Sequence, residues 1–329
     1  MFTTTLMSGV MITASSNSWL GVWMGLEINL LSFIPITSSN NNIFTNESSL
    51  KYFLIQALAS SIFLFTIMLM MMSEDFTYMD NSTSMILSTP ILMKSGAAPF
   101  HWWFPSVMDG LEWLNCFILI TIQKIAPLIL ISYMIWDDFF ITIIIMSNIV
   151  GSIGGYNQTS IRSIMTYSSI NHIGWMMVAM MLSENLWLLY FIIYSTLTLS
   201  IILIIKPFQA SFINLTFTLH NDMPVKKFML FTSFLSLGGL PPFLGFLPKW
   251  MVITMTVKSN LTLLITVMVI SSLITLYYYL RVSYSSFIIL HSEPWWSCKT
   301  NKSKMMLTIM LSSISMLGLM TVTLLNSAY

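Results

Sequence analysis

Long apolar segments dominate the chain, and short polar clusters separate them. A helix needs about 20 apolar residues to cross a hydrocarbon core of about 30 Å, and most of these segments reach that length. We therefore predict an all-α, multi-pass membrane protein with about eleven transmembrane helices. The predicted helices cover residues 1–16, 19–37, 50–72, 84–104, 113–136, 139–156, 161–182, 186–206, 228–257, 261–290 and 305–326.

No sequence period of about 20 to 50 residues is visible, so there is no sign of a repeat array. We predict a single transmembrane domain over residues 1–329. Two segments leave an alternative open. The first helix is short for a span, and the Trp-rich segment 100–113 could instead form an interfacial turn with its indole rings at headgroup depth.

The composition agrees with a lipid environment. Apolar residues make up 56% of the chain and charged residues 8%, whereas a soluble domain carries about a quarter charged residues. This excludes a water-soluble enzyme. The net charge of +1, and a longest Lys/Arg run of only Lys226 and Lys227, also exclude a nucleic-acid binder, because a row of phosphates needs more cations.

Little in the sequence points to a bound cofactor or metal. Cys116 and Cys298 are the only two cysteines, and an iron–sulfur cluster takes about four thiolates. Phosphate-loop, dinucleotide-fold and zinc-protease motifs do not occur. The first arginine is Arg162, so the start of the chain resembles neither a signal nor a transit peptide. We expect insertion through its own first helix or synthesis inside its own compartment.

The charged loops predict an orientation. With eleven spans, the side of the N-terminus holds nine cations and five acids, whereas the other side holds one cation, Lys258, and six acids. Such a split is a strong positive-inside signal, so the N-terminus is predicted on the inner side, the cytoplasm or matrix. The nine cations are Lys51, Arg162, Lys206, Lys226, Lys227, Arg281, Lys299, Lys302 and Lys304.

Four charged residues remain after the charges assigned to the two sides are subtracted, and each lies at membrane depth: Glu27, Lys94, Lys124 and Lys249. A charge at the bilayer centre costs roughly 2.5 to 3.5 kcal/mol on insertion scales, so such residues face the protein interior or a watery cavity. A structural ion pair of Glu27 with one lysine, with the others reaching for an interface, is the alternative. Three lysines against one carboxylate favour a functional role.

The excess of lysine has a chemical consequence. Removal of water disfavours the charged form of a lysine, whereas a nearby carboxylate favours it. A carboxylate that approaches or leaves a buried lysine would therefore load or release a proton. Glycines and prolines follow Lys94 and precede Lys249, and Pro127 follows Lys124, which predicts interrupted helices beside the lysines.

His172 is a further candidate for the relay. It lies in the segment SSINHIGWM, beside Ser168, Ser169 and Asn171. Histidine can gain and lose a proton near neutral pH. The alternative is that His172 only forms a hydrogen bond between helices.

Several segments resemble the antiporter-like, mitochondrially encoded membrane subunits of respiratory complex I, the NADH:ubiquinone oxidoreductase, in their shortened animal form. The resemblance covers nearly the whole chain. Its most specific segments are SNSWLGVWMGLEINLLSFIP (16–35), KSGAAPFHWWFP (94–105), QKIAPL (123–128), SSINHIGWM (168–176) and LSLGGLPPFLGFLPKW (235–250). The 29 methionines also resemble the composition of proteins encoded by animal mitochondrial genomes.

The resemblance implies a core subunit of a proton-translocating enzyme complex in the mitochondrial inner membrane, coupled to electron transfer from NADH to ubiquinone. It maps the family's glutamate onto Glu27 and its three lysines onto Lys94, Lys124 and Lys249. It implies a matrix-side N-terminus, neighbouring and accessory membrane-arm subunits and lipid as partners, and no cofactor in this chain. NADH, FMN, iron–sulfur clusters and ubiquinone would belong to other subunits.

Two other functions remain open. A stand-alone cation/proton antiporter would exchange sodium or potassium for protons on its own. An architectural membrane-arm subunit would use its lysines and glutamate for assembly and carry no proton path.

The eleven-span topology predicts that the two termini lie on opposite sides of the membrane, with the N-terminus inside. The test uses sealed vesicles whose outer membrane face points toward the medium. We expect protease to cut an epitope at the N-terminus only after these vesicles are opened. An epitope at the C-terminus should be cut in sealed vesicles. Protection or cleavage of both termini together would contradict the odd number of spans.

Overall fold

The computed structural model describes residues 1–38, 42–72, 81–209, 211–217 and 224–288, together with residues 310, 312, 313, 315, 316 and 318. Every regular element in these ranges is helical apart from one β-bridge between Ser160 and Phe212, so the predicted all-α class is confirmed. Most of the predicted helix 305–326 lies outside the described residues.

The helices are α1 (Phe2–Ser15), α2 (Trp19–Thr37), α3 (Ile43–Met72), α4 (Asn81–Ser95), α5 (Trp103–Gly110), α6 (Trp113–Ile120), α7 (Ile122–Ser132), α8 (Asp137–Tyr156), α9 (Ile161–Leu182), α10 (Glu184–Ile205), α11 (Ile213–Phe217), α12 (Pro224–Gly238), α13 (Phe246–Lys258) and α14 (Thr262–Ile288), with a 3₁₀ turn at Lys206–Phe208.

Six helical segments in the described ranges are long and apolar enough to cross a membrane. They are α2, α3, the joined pair α6 and α7, α8, α10 and the part of α14 from Thr262 to Tyr284. With the shorter apolar helices, this number is broadly in line with the predicted eleven. Helix α1 has 14 residues and is only about 21 Å long at a rise of 1.5 Å per residue.

The chain forms two compact units, residues 1–147 and 148–329. In the first unit, α1 packs along α2, α3 contacts α2, α4 and α5, and α4 contacts α7. Small residues bring α1 and α2 together: a Cβ atom on Gly25 would lie 2.6 Å from Thr13 Cγ2 and 3.0 Å from the Gly9 carbonyl oxygen. Close packing of small residues is what holds helices together in lipid.

In the second unit, α9 is the central helix. It contacts α10, α13 and α14, while α12 packs against α10 and α14. Most side chains of α9 are buried, including polar ones such as Ser168, Asn171 and His172. A helix buried on all sides belongs to a protein interior, so α9 carries its polar residues away from lipid.

The predicted helix 84–104 is wrong in its second half, because α4 ends at Ser95. Gly96 adopts a positive φ of 75°, and the backbone N–H groups of Gly96 and Ala97 both donate to the Leu92 carbonyl. This is a Schellman cap, which glycine permits because it has no Cβ atom. The Trp-rich segment 100–113 begins in a turn that includes His101 and Trp102, and it continues as the short helix α5.

The predicted helix 228–257 is likewise two helices, α12 and α13. Gly239 has a φ of 81° and ends α12 with the same cap, since Gly239 and Leu240 donate to the Leu235 carbonyl. Pro248 lies in the first turn of α13, where a helix lacks N–H acceptors anyway. In the segment between the helices, the Leu244 N–H donates to the Ser315 carbonyl.

The predicted helix 113–136 is interrupted at Thr121, between α6 and α7. The Thr121 hydroxyl donates to the Phe117 carbonyl at 2.7 Å, a contact that tends to bend helices. Pro127 then removes one backbone donor from α7. All three interruptions predicted beside lysines are therefore found, each within about two turns of its lysine.

The segment between α12 and α13 depends on Gly245. A Cβ atom there would lie 1.8 Å from the Ser236 carbonyl oxygen, and backbone atoms cannot move aside as a flexible side chain can. We expect Gly245→Ala to destabilise the fold by at least about 3 kcal/mol and to lower the amount of assembled complex on native gels.

Gly238→Ala is the matched control, because the nearest atom to its Cβ would be Tyr279 Cδ2 at 3.4 Å, an ordinary contact. We expect this variant to assemble at the normal level. Equal levels of the two variants would contradict the close packing at Gly245.

Candidate functional site

Lys94 and Lys124 lie together around one cavity in the first unit. Lys94 is in the last turn of α4 and Lys124 in the first turn of α7, directly after the interruption at Thr121. Their side chains are 8% and 3% exposed. Both line a cavity of about 20 Å³, and neither Nζ atom has a hydrogen-bond partner among the described residues.

An aromatic ring lies beside the ammonium group of Lys124. The Lys124 Nζ atom lies 4.7 Å from the ring centroid of Phe104, which is fully buried on α5. A ring face attracts a cation, and more strongly where water is excluded. The ring of Phe104 therefore stabilises the charged form of Lys124, but it cannot accept the proton.

Glu27 lies on α2, outside the cavity. It is half-buried near the middle of that helix. Leu26, Asn29 and Leu30 of α2 line the cavity, whereas Glu27 does not. Glu27 and Lys94 form no ion pair within 4.0 Å in the described structure, in contrast to Lys51 and Glu47 at the start of α3.

Four uncharged polar residues of the cavity wall were missed by the sequence analysis: Asn29, Tyr52, Gln56 and Gln123. The Tyr52 hydroxyl donates to Gln123 Oε1 at 3.2 Å, and Gln56 Nε2 donates to the Lys94 carbonyl at 3.5 Å. Tyr52 and Gln56 are four residues apart on α3, and residues at that spacing share one helix face. Two polar residues on one face of an otherwise apolar helix could have indicated from the sequence that this face lines a polar cavity.

Lys249 occupies a different environment in the second unit. It is 5% exposed, and its Nζ donates to the carbonyl of Gly238, the last residue of α12, at 2.8 Å. The carbonyl end of a helix favours a cation. Gly239 makes room for this contact, since a Cβ atom there would lie 2.9 Å from Lys249 Cδ. The Trp175 ring lies 5.7 Å from the Nζ.

His172 is also buried in the second unit, on α9. Its Nδ1 shares a hydrogen bond of 2.8 Å with the Tyr190 hydroxyl, and the Tyr194 ring centroid lies 4.8 Å from that of the imidazole. A cavity of about 10 Å³ separates these side chains from Gly245 and Pro248. This volume is close to the roughly 10–15 Å³ that one water requires.

The predicted site residues thus fall into two groups. Lys94 and Lys124 share a cavity with Glu27 nearby, while Lys249 and His172 lie in the second unit. Their roles in proton transfer stay predictions. The described residues contain no group of three or more His, Cys, Asp or Glu side chains that could hold a metal ion.

Residues 16–275 match the family described as the transmembrane region of NADH:quinone oxidoreductase and Mrp antiporter subunits. The chain is 50% identical to NADH-ubiquinone oxidoreductase chain 2 of Anopheles gambiae over 97% of its own length and 95% of that relative. It is 52% identical to the same protein of Aedes aegypti with the same coverage.

Solved structures share the fold. A chain of respiratory complex I from Thermus thermophilus matches with a TM-score of 0.81 at 20% identity, over 95% of this chain and 77% of that one. A chain of the Mrp complex from Dietzia matches with a TM-score of 0.77 at 17% identity, over 89% and 61%. On the strength of the sequence relatives, the chain belongs to the NADH-ubiquinone oxidoreductase chain 2 family, as the resemblance of its motifs implied.

Proposed function

We propose that this chain carries protons as a membrane-arm subunit of respiratory complex I, with Lys94 and Lys124 as its central proton-carrying groups. The chain is a multi-pass protein of the mitochondrial inner membrane and takes part in proton translocation coupled to electron transfer from NADH to ubiquinone. It assembles with other membrane-arm subunits.

The observation that supports the lysine roles most strongly is the shared cavity. Two buried ammonium groups line it without a hydrogen-bond partner or an ion pair in the described structure. Loss of water disfavours the charged form of a lysine, and a carboxylate that comes close favours it. A change in the distance between Glu27 and Lys94 would therefore move a proton on or off the pair.

In the proposed order of transfer, protons enter from the matrix near Glu27 and Lys94, pass to Lys124 and continue along a hydrated axis to Lys249. His172 is a possible intermediate. The Lys249 Nζ donates to a carbonyl at the end of a helix, whereas the Nζ atoms of the other two lysines face the cavity. Release of the proton at Lys249 and release through a neighbouring subunit are the two alternatives for the exit.

The redox chemistry is assigned to other subunits. We propose, from the family to which the chain belongs, that NADH, FMN, the iron–sulfur clusters and ubiquinone bind there. The coupling between electron transfer in those subunits and proton transfer in this chain is then conformational or electrostatic. A stand-alone antiporter would instead exchange sodium or potassium for protons in liposomes that contain the purified chain alone.

Lys124→Met in the assembled complex tests the central role. Methionine keeps the length of the side chain but cannot carry a proton. Proton transfer by a positioned side chain commonly contributes about 100-fold in rate, so we expect proton pumping per assembled complex to fall by at least roughly tenfold. Pumping is measured in sealed vesicles beside NADH oxidation and the amount of complex on native gels.

Lys258→Met is the matched control, because Lys258 is exposed at the end of α13. We expect it to pump normally. Full turnover with a full proton-to-electron ratio in Lys124→Met would reject the relay role. A lower amount of complex with normal pumping per complex would favour the architectural subunit.

A further inference from the structure

Four buried polar atoms without a partner in the described structure belong to residues that line the Lys94–Lys124 cavity. They are Asn29 Oδ1, Lys94 Nζ, Gln123 Nε2 and Lys124 Nζ. Buried polar groups in native proteins are nearly always hydrogen-bonded to protein or to water. Lipid offers no substitute, so four such atoms around one space indicate a shared ligand that is polar and small.

The cavity has the size and chemistry for water. Its volume of about 20 Å³ exceeds the roughly 10–15 Å³ that one water occupies, and a buried water makes about three hydrogen bonds. The Gln123 amide nitrogen is a donor and the Asn29 carbonyl oxygen an acceptor, while a lysine donates when charged and accepts when neutral. A water held by the two amides can therefore contact either protonation state of the lysines.

The amide of Gln123 is oriented by a hydrogen bond from Tyr52. Its Oε1 accepts the Tyr52 hydroxyl at 3.2 Å, which leaves Nε2 as the free end of the amide. Tyr52 is itself fixed, with the ring centroid of Phe33 at 5.0 Å and that of Trp103 at 5.9 Å. Tyr52 is only 3% exposed, so its ring is enclosed by the packing around it.

Gln56 is a structural glutamine and differs in this respect from Gln123. Its Nε2 donates to the Lys94 carbonyl at 3.5 Å, so that amide joins α3 to the end of α4. The Nε2 of Gln123 donates to no atom of the described protein. Only the Oε1 of that amide has a partner, the Tyr52 hydroxyl. A side chain that is anchored at one end and unsatisfied at the other suits a positioning role.

We propose that Gln123 is a positioning residue for proton transfer: its amide, oriented by Tyr52, holds with Asn29 the water that links Lys94 to Lys124. The proposal rests on the proposed function, because a link between the two lysines matters only if they exchange protons. Gln123 carries no proton itself. Its removal leaves both lysines in place and disorders the water between them.

Gln123→Met in the assembled complex is the first test, since methionine has a similar shape and cannot hold the water. A misplaced reacting group commonly costs up to about 100-fold in rate, and we expect pumping per assembled complex to fall roughly five- to tenfold. Tyr52→Phe keeps the amide but releases its orientation, so a smaller loss of about twofold to threefold is expected. Gln158→Met, at a residue outside the cavity, is the control and should pump normally.

Lys124→Met is measured beside these variants and separates the two claims. Loss of pumping in Lys124→Met with normal pumping in Gln123→Met would overturn the role of Gln123 and leave the proposed function standing. Normal pumping in both would overturn both. A lower amount of the Gln123→Met complex with unchanged pumping per complex would mean that Gln123 is structural, and would also overturn the proposal.

A second measurement decides the matter if Gln123→Met fails to assemble. A map of the unaltered complex that resolves ordered water should contain a water within about 3.2 Å of both Gln123 Nε2 and Asn29 Oδ1, the usual limit for such bonds. That water should also contact a lysine Nζ. A map with ordered water elsewhere in the membrane and none at these atoms would overturn the proposal.

Discussion

Lipid provides no hydrogen bonds, and this constraint governs the rest of the structure. Every polar group at membrane depth must find its partner in the protein or in enclosed water. The helices of the first unit therefore meet around the Lys94–Lys124 cavity, where polar side chains from α2, α3, α4 and α7 face one another. In the second unit the same constraint places the polar residues of α9 inside a shell of α10, α13 and α14.

The two units use a similar helix ending beside a lysine with different results. Positive-φ glycines, Gly96 and Gly239, end α4 and α12. Lys249 donates to the last carbonyl of α12 and is satisfied there, whereas Lys94 and Lys124 face a cavity without a protein partner. A water in the cavity can exchange protons with Lys94 and Lys124, whereas the Gly238 carbonyl that contacts Lys249 cannot. This difference supports the proposal that the cavity of the first unit is a place of proton exchange.

The sequence predicted the charged part of the site and missed its neutral part. Glu27, Lys94 and Lys124 stand out because a charge within an apolar span is costly, and the glycines and prolines beside them indicate interruptions. Hydropathy could not place those interruptions, and it joined α4 to α5 and α12 to α13. Gln123 and Tyr52 were not predicted, because an uncharged side chain within a span costs much less free energy than a charged one. Their contact also joins positions 71 residues apart, which only tertiary packing brings together.

The central claim is that Lys124 must lose its proton as well as gain it. Arginine keeps a positive charge but stays protonated under all physiological conditions, so Lys124→Arg separates a proton carrier from a fixed charge. The most direct measurement is the rate of proton pumping per assembled complex in vesicles that contain this variant. Our account predicts loss of pumping of at least roughly tenfold despite the retained charge, and pumping at the normal rate would contradict it.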